Sequence, residues 1–243
     1  ALTKIFPWGK SGIAGISFQD YFRERKRQGY NGVNLIASYP TDNTDNPKET
    51  VWAREVHRQK IAENGASAFI ISNDKADYTR INPAYWREVD RKMSHLSDLG
   101  FVSVLESVRR HELWPKKSQV QRDAFTNYTR YLWARYGAYN IIYSWLHWDT
   151  QQSVFMDWVP LVRKAHAYLK SKNGTGKMPY GQPRTAMAYR SSLQNSQVTN
   201  TWSNQIPEAL DIHNVSNSPR DEGVYPWLRQ MYRVTPSMPA LNL

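Results

Sequence analysis

The chain has 243 residues, enough for one sizeable core and a common length for a single α/β barrel domain. It contains no cysteine, which excludes disulfides, thiolate metal sites and cysteine nucleophiles. No apolar run approaches the roughly 18 residues needed to cross a membrane. The 32 Lys and Arg residues against 21 Asp and Glu give a formal net charge of +11, scattered along the chain rather than gathered in a tail.

This charge favours polyanionic partners, which include nucleic acid, acidic lipid headgroups and sulfated or uronate polysaccharide. The 10 Trp and 15 Tyr residues offer aromatic faces, which stack on sugar rings as readily as on bases. Composition alone therefore leaves a carbohydrate partner and a nucleic-acid partner open.

Amphipathic charged helices alternate with short apolar strands along most of the chain. The predicted helices run over Ser17–Gln28, Asn82–Leu99, Ser118–Tyr136 and Phe155–Lys172. The predicted strands are Gly32–Ala37, Phe101–Glu106, Ile141–Tyr143, Thr185–Tyr189, Ala209–His213 and Pro239–Leu243. Between Tyr39 and Arg80 the pattern is weaker: a polar loop, a helix around Thr50–Glu63 and the apolar run Ala68–Ile71 indicate an excursion over one face of the domain.

Strands that alternate with helices form a parallel sheet. About six or seven such units favour a (β/α)₈ barrel over an open doubly wound sheet, and no Gly-rich phosphate fingerprint follows the first strand. The chain begins and ends within strand-like runs. We therefore expect residues 1–243 to form a single barrel domain that lacks parts at both ends.

The stretch Asn140–Asp149 is an apolar strand that ends in His147, Trp148 and Asp149. Side chains alternate along an extended chain, so Trp145, His147 and Asp149 are predicted to share one side. In α/β folds the carboxyl ends of strands carry the chemistry. The simpler interpretation is an ordinary strand whose terminal Asp caps the next helix.

Other candidate site residues are those predicted at strand carboxyl ends. They are Trp8, Glu106, Arg109, Arg110, His111, Tyr189, Arg190, His213 and Asn214. The simpler interpretations are that Glu106 pairs with Arg109 or Arg110 and that His213 is a hydrogen-bonded loop histidine. Trp114, Trp202 and Trp227 are expected in the core.

Glycoside hydrolysis uses two carboxylates, about 5–5.5 Å apart in retaining enzymes. Asp149 is the better placed acid, because an indole or imidazole neighbour limits its solvation and raises its pKa. Glu106, on the preceding strand, is the internal candidate for the second carboxylate. A rival interpretation takes His147, Asp149 and His213 as a facial triad for non-haem iron, although that chemistry is usual in all-β folds.

The order of several segments resembles the catalytic barrel of the DUF4038, or apiosidase-like, glycoside hydrolases. The segments are Arg25–Val33, Ile81–Asp90, Leu99–Val102, Asn140–Asp149 and Pro239–Leu243. The resemblance implies a retaining hydrolase without cofactor or metal, in which Asp149 is the acid/base. The family's nucleophile is a Glu followed by Pro, and it would come directly after Leu243. The family usually has Gly-Gly before the Asp; here His147-Trp148 changes the subsite shape.

The resulting hypothesis is a secreted, extracellular or periplasmic glycoside hydrolase. Its substrate would be a plant or algal polysaccharide or oligosaccharide, and the charge favours an anionic, for example sulfated, one. The predicted substrate-binding residues are Trp8, His111, His147, Trp148, Tyr189, Arg190 and His213. A non-catalytic carbohydrate-binding barrel is the alternative. The hypothesis of a nucleic-acid-binding protein rests on charge and aromatic content alone.

Overall fold

The computed structural model describes the parts of the chain that form its main sheet, its covering helices and one hairpin. These are residues 7–9, 15–38, 62–73, 75–108, 114, 117–146, 152–188, 205–215, 228–229, 232–233 and 237–242. None of the helices in these ranges combines the length and apolar character that a membrane span requires.

Four helices lie close to their predicted positions. They are α1 (Phe18–Arg27), α2 (Pro83–Asp98), α3 (Gln119–Tyr136) and α4 (Gln152–Asn173). Helix α1 begins with a capping box, in which the Ser17 hydroxyl accepts from the Asp20 amide while the Asp20 carboxylate accepts from the Ser17 amide. Helix α2 begins with Asn82 as its cap and Pro83 in its first turn, as the sequence predicted.

The main sheet is parallel, as predicted. Strand β1 (Gly32–Ile36) pairs with β4 (Val102–Glu106), β4 with β5 (Ile141–Ser144), and β5 with β6 (Arg184–Thr185). A second parallel group contains β7 (Met187–Ala188), β8 (His213–Val215) and β9 (Ala240–Asn242). Only Ala186 separates β6 from β7, and Met187 N donates to Leu146 O next to β5. The second group of strands therefore extends the main sheet beyond β6.

The two faces of this sheet differ. One face carries Leu35, Leu105, Tyr143 and Trp145, which are fully buried in the core that the helices cover. The register pairs Asn34 with Val104 and Val104 with Ile142, so these three side chains lie on the opposite, inner face. The same register places Glu106 and Ser144 on the inner face, one step nearer the carboxyl ends of the strands.

The weakly patterned region contains a hairpin rather than a plain excursion. Strand β2 (Phe69–Ser72) pairs antiparallel with β3 (Lys75–Ile81), and Asn73 turns the chain at a φ of +50°. The predicted apolar run corresponds to β2, whereas β3 was missed. Its alternation was present, because Ala76 and Tyr78 are buried between polar neighbours. The predicted helix around Thr50–Glu63 falls almost wholly outside the described residues.

One strand prediction was wrong in its bounds. Ala209–His213 was expected to be extended, but Pro207–Ala209 form a 3₁₀ turn and the strand runs from His213 to Val215. The turn is fixed by the Trp145 indole, whose Nε1 donates to Ala209 O over 2.9 Å. Asp211 N donates to Arg184 O, and the Asp211 carboxylate accepts from Arg184 Nε. These two bonds hold the segment before β8 against the start of β6.

Trp114 is a core residue, as expected, and lies at the centre of an aromatic cluster. Its side chain is fully buried and contacts the rings of Phe69, Tyr78, Phe125 and Tyr128 at centroid distances of 4.5 to 5.4 Å. This cluster joins the hairpin to helix α3 beside the main sheet. Trp202 and Trp227 lie outside the described residues.

Candidate active site

A row of polar side chains marks the carboxyl ends of the inner-face strands. Glu106, Ser144 and Thr185 are the last residues of β4, β5 and β6, and the register pairs Glu106 with Ser144 and Ser144 with Thr185. All three residues are fully buried. Parallel strands bring such end residues to the same edge, which is where α/β folds bind their ligands.

Among the described residues, Glu106 supplies the carboxylate of this row. Asn34 Nδ2 donates to Glu106 Oε1 over 3.5 Å, and the Glu106 carbonyl accepts from Ala37 N over 2.7 Å. The side chain is 0% exposed. Its predicted simple partners, Arg109 and Arg110, lie outside the described residues, so that interpretation stays open.

Two asparagines on the inner face carry atoms with no hydrogen-bond partner. In Asn34 this is Oδ1, and in Asn214 it is both Oδ1 and Nδ2. Asn214 is 1% exposed, and its register partners are Met187 on β7 and Leu241 on β9. The sequence had marked Asn214 only as a strand-end residue without a role. Asn34 was missed, although an amide between Val33 and Leu35 is itself a signal in a buried strand.

A cavity of about 640 Å³ lies below this row, towards the amino ends of the strands. Its inner wall is mostly apolar and includes Asn34, Val104, Ile142 and Leu241. Leu241 on β9 therefore faces the same space as residues on β1, β4 and β5, which means that the sheet curves around an interior. Because this cavity begins at Gln28–Gly32, it opens at the end opposite the polar row.

Charged side chains occupy the outer face instead. Arg184, at the start of β6, has a side chain only 3% exposed and donates from Nε to Asp211 Oδ2 over 2.7 Å. Burial by itself raises the pKa of Asp211, but the hydrogen bonds and charge of Arg184 outweigh it and hold that pKa below its ordinary value. Away from the sheet, in the helix layer, Lys92 on α2 is also buried and paired with Glu63 over 2.6 Å.

Trp8 lies in the helix layer. Its ring packs against Phe18 and the edge of His95, with the Arg91 guanidinium over its face, and its amide donates to Glu63. His213 is 1% exposed, and strand alternation puts it on the opposite face of β8 from Asn214. The substrate-binding roles predicted for both residues stay predictions.

The segment that carries the main predicted acid continues from β5. That strand ends at Ser144, and Trp145 turns towards the helices, where it contacts Trp133, Tyr143 and His166. The shared side predicted for Trp145, His147 and Asp149 assumed an unbroken strand, and the described strand stops before them.

The remaining predicted site residues fall outside the described residues, and their roles stay predictions. They are His111, His147, Trp148, Asp149, Tyr189 and Arg190. The iron triad is equally untested, because it needs His147 and Asp149. Within the described ranges, no group of three or more potential His or carboxylate metal ligands comes together.

Comparison with protein families gives one extended match. The family described as "Apiosidase-like, catalytic domain" matches residues 13–243, nearly the whole chain. No sequence among curated proteins matches significantly.

Several solved structures share the fold. A glycoside hydrolase of family 5 from Bacteroides vulgatus is 14% identical with a TM-score of 0.59, covering 93% of this chain and 44% of its own. A putative glycoside hydrolase from the same organism is 16% identical with a TM-score of 0.55, covering 97% and 43%. A family 5 enzyme from Prevotella bryantii is 10% identical with a TM-score of 0.52, covering 99% and 72%. The chain thus spans less than half the length of the first two, and at these identities the likeness concerns the fold alone.

Proposed function

We propose, because the chain belongs to the apiosidase-like catalytic domain family, that it is a glycoside hydrolase that cleaves its carbohydrate substrate with retention, using two carboxylates. The observation that carries the proposal is the polar row at the carboxyl ends of β4, β5 and β6, where Glu106 lies buried beside Asn34. A strand edge of this kind is where an α/β hydrolase assembles its catalytic groups.

Asp149 is proposed as the acid/base. It follows β5 by only a few residues, and β5 is the strand next to Glu106 in the sheet. A carboxylic acid there would protonate the leaving oxygen and then, as a carboxylate, activate the water that releases the sugar.

The second carboxylate has two candidates. In the family pattern it is a Glu-Pro pair that would directly follow Leu243, just after β9. Glu106 is the alternative within this sequence. The coding sequence after the codon for Leu243, read together with the intact mass of the protein, tests the first candidate. Glu-Pro there supports it, and a stop codon would favour either Glu106 or the non-catalytic carbohydrate-binding alternative.

The proposed architecture is a closed (β/α)₈ barrel formed as a single domain. Support comes from Leu241 on β9, which faces the same cavity as Asn34 on β1 although the two strands lie at opposite ends of the described strand order. Strands placed between β9 and β1 would close the barrel.

The proposed substrate is a plant or algal polysaccharide or oligosaccharide, and the proposed location is extracellular or periplasmic. The net charge of +11 supports an anionic polymer.

The test uses the full-length protein and a panel of neutral and anionic polysaccharides, with reducing-sugar release as the readout. Asp149→Asn should lower the rate by about 10²- to 10⁴-fold, because it removes acid/base catalysis. Glu208→Gln is the control, since Glu208 is exposed in the 3₁₀ turn. An Asp149→Asn variant as active as the parent contradicts the assignment. Binding of saccharides without hydrolysis by the parent would point to the non-catalytic alternative.

Stereochemistry tests the mechanism separately. Proton NMR of the first-formed sugar should show the same anomeric configuration as the substrate. An inverted product would contradict the retaining mechanism while leaving glycoside hydrolysis itself intact.

A further inference from the structure

Four fully buried hydroxyl side chains lie where the parallel strands end. They are Ser38, Ser107, Ser144 and Thr185. Each donates to a backbone carbonyl, and the carbonyls belong, in the same order, to Ser107, Trp145, Leu146 and Ile212. A buried carbonyl beyond the end of a backbone ladder needs such a donor. The hydroxyls therefore extend the hydrogen bonding of the sheet past its carboxyl edge.

Ser107 bonds to two consecutive carbonyls of the chain that leaves β5. Its amide donates to Ser144 O over 2.9 Å, which continues the ladder between β4 and β5. Its hydroxyl donates to Trp145 O, one residue further along. The serine side chain thus adds a bond at a point where the paired register of the two strands has ended. Alanine at this position would keep the first bond and lose the second.

Ser107 is itself held by helix α3. The Tyr128 hydroxyl donates to Ser107 O over 2.7 Å, and the Ser38 hydroxyl lies 2.7 Å from that of Tyr128. Tyr128 is buried in the aromatic cluster around Trp114, and close packing on its ring fixes the position of its hydroxyl. A chain of hydrogen bonds therefore runs from the core helix, through Ser107, to the exit of β5, which consists of Trp145 and Leu146.

Trp145 is hydrogen-bonded through each of its three polar groups. Its amide donates to Thr185 O over 2.9 Å, its carbonyl accepts from Ser107, and its indole Nε1 donates to Ala209 O over 2.9 Å. The next residue, Leu146, is also fully buried, and its carbonyl accepts two further hydrogen bonds. The chain is thus fixed from several sides at the point where it leaves the sheet.

Asp149 follows Leu146 by only three residues. Three residues span at most about 11 Å, so the place of Asp149 depends on where the chain leaves the exit of β5. Ser107 directly follows Glu106, and its hydroxyl therefore ties the end of the strand that carries Glu106 to the segment that carries Asp149. A misplacement of about 1 Å in a catalytic site can lower a rate by about 10²-fold.

We propose that Ser107 is a positioning residue: its hydroxyl fixes the exit of β5 and thereby the placement of Asp149 at the strand ends. Ser107 takes no part in bond cleavage and acts through the backbone of Trp145. The proposal rests on the proposed glycoside hydrolase function, in which Asp149 transfers the proton. Loss of the hydroxyl should therefore slow the chemical step more than it weakens substrate binding.

The first experiment compares Ser107→Ala with Ser17→Ala in the full-length protein. Both changes remove a buried hydroxyl that makes a hydrogen bond, so both should lower the melting temperature. In Ser107→Ala, kcat should also fall by about 10- to 100-fold while KM changes by less than about twofold. Ser17→Ala is the matched control and should keep the parent's kcat, because Ser17 caps α1. A parental kcat in Ser107→Ala overturns the proposal, since the serine would then be only structural.

The second experiment follows the backbone without relying on turnover. Hydrogen exchange, measured by mass spectrometry, compares the peptide over residues 145–152 with the peptide at the start of α1. Ser107→Ala should speed exchange in the first peptide only, and Ser17→Ala in the second only. Unchanged exchange over residues 145–152 in Ser107→Ala overturns the positioning role and leaves the proposed function standing. If exchange there is faster but the parent releases no reducing sugar, the proposed function fails, whereas the role of Ser107 in fixing the exit of β5 is supported.

Discussion

Arg184 and Asp211 form a two-pronged ion pair across the outer face of the sheet. Arg184 Nε donates to Asp211 Oδ2 over 2.7 Å and Nη2 donates to Oδ1 over 3.2 Å. The remaining Nη1 donates to Gly176 O over 2.8 Å and lies 3.2 Å from His166 Nδ1. A single guanidinium thus joins β6 to the segment before β8, to helix α4 and to the loop that follows it.

Arg184→Met is expected to lower the free energy of unfolding by about 3 kcal/mol, because it removes the buried guanidinium that pairs with Asp211 and donates to Gly176 O. Among the described residues, Asp211 keeps only the Arg184 backbone amide at 3.0 Å and the more exposed Lys177 at 3.5 Å. Urea denaturation at neutral pH measures this loss. Arg23→Met is the control: the Arg23–Asp20 pair has side chains 61% and 53% exposed and is screened by solvent, so its loss should cost much less. Equal effects of the two substitutions would show that the buried network contributes nothing special.

His166 gives this network a pH dependence. Burial lowers the pKa of His166, and the positive charge of Arg184 lowers it further. Lys170 acts in the same direction, whereas Glu208 and Asp211 oppose it. The unfolded chain therefore binds a proton at this residue more readily than the folded chain does, so stability should fall as the pH drops through the ordinary histidine value of 6.5.

The measurement is the unfolding free energy between pH 8 and pH 5, a range that brackets the ordinary histidine pKa of 6.5. Asp211 titrates below this window, because its pKa is held under the ordinary aspartate value of 3.8. His166→Gln should flatten the pH profile relative to the parent. His95, whose pKa is also lowered by burial, should account for part of the slope that remains. A variant with the parent's full slope would contradict the role of His166.

The N-terminus of α1 offers a test of local stabilisation. The Ser17 hydroxyl caps Asp20 N over 3.1 Å, whereas Ser118 precedes α3 without any side-chain cap. Ser17→Ala should cost about 1 kcal/mol, and Ser118→Ala should cost clearly less. The hydrogen bond from Ser17 and the neighbouring Arg23 hold the pKa of Asp20 at about 2, so carboxyl NMR should find that pKa higher in Ser17→Ala. An unchanged Asp20 pKa would contradict the capping arrangement.

Local signals were sufficient to predict most of the described helices and parallel strands. Asn82-Pro83 and Gly100 (φ +71°) bracket α2, and the apolar runs gave β1, β4 and β5 within a residue or two. The start of β8 could not be predicted, because the turn before it is held by Trp145 and Arg184, which are distant in sequence. Hairpin strand β3 was missed since its alternation is carried by only Ala76 and Tyr78 among charged residues.

The candidate site was likewise predictable from the sequence only in part. Strand-end position was enough to single out Glu106, whose burial in the polar row is described. Asn34 could not be found from strand ends, because it lies two residues before the end of β1 and reaches Glu106 only through the parallel pairing with β4. The unsatisfied amide of Asn214 depends on its neighbours Met187 and Leu241, which sequence spacing does not reveal.

Two glycines in the loop after α4 allow the cost of backbone strain to be measured apart from the cost of steric contact. Gly174 and Gly176 both have positive φ, +75° and +67°, so alanine is strained at either position. A Cβ at Gly174 would meet nothing within 4 Å, whereas one at Gly176 would lie 2.5 Å from His166 Cε1. His166 is 5% exposed and held by Arg184, which leaves it little room to move.

Gly174→Ala is therefore expected to cost about 1 kcal/mol, from the backbone alone. Gly176→Ala should cost about 3 kcal/mol, because overpacking against the buried imidazole is added to the same backbone strain. The double variant Gly176→Ala/His166→Ala should recover part of that loss, since the smaller side chain removes the contact. Urea denaturation of the four proteins, parent included, measures each value. Equal costs for the two glycine substitutions would show that His166 does not pack against the loop.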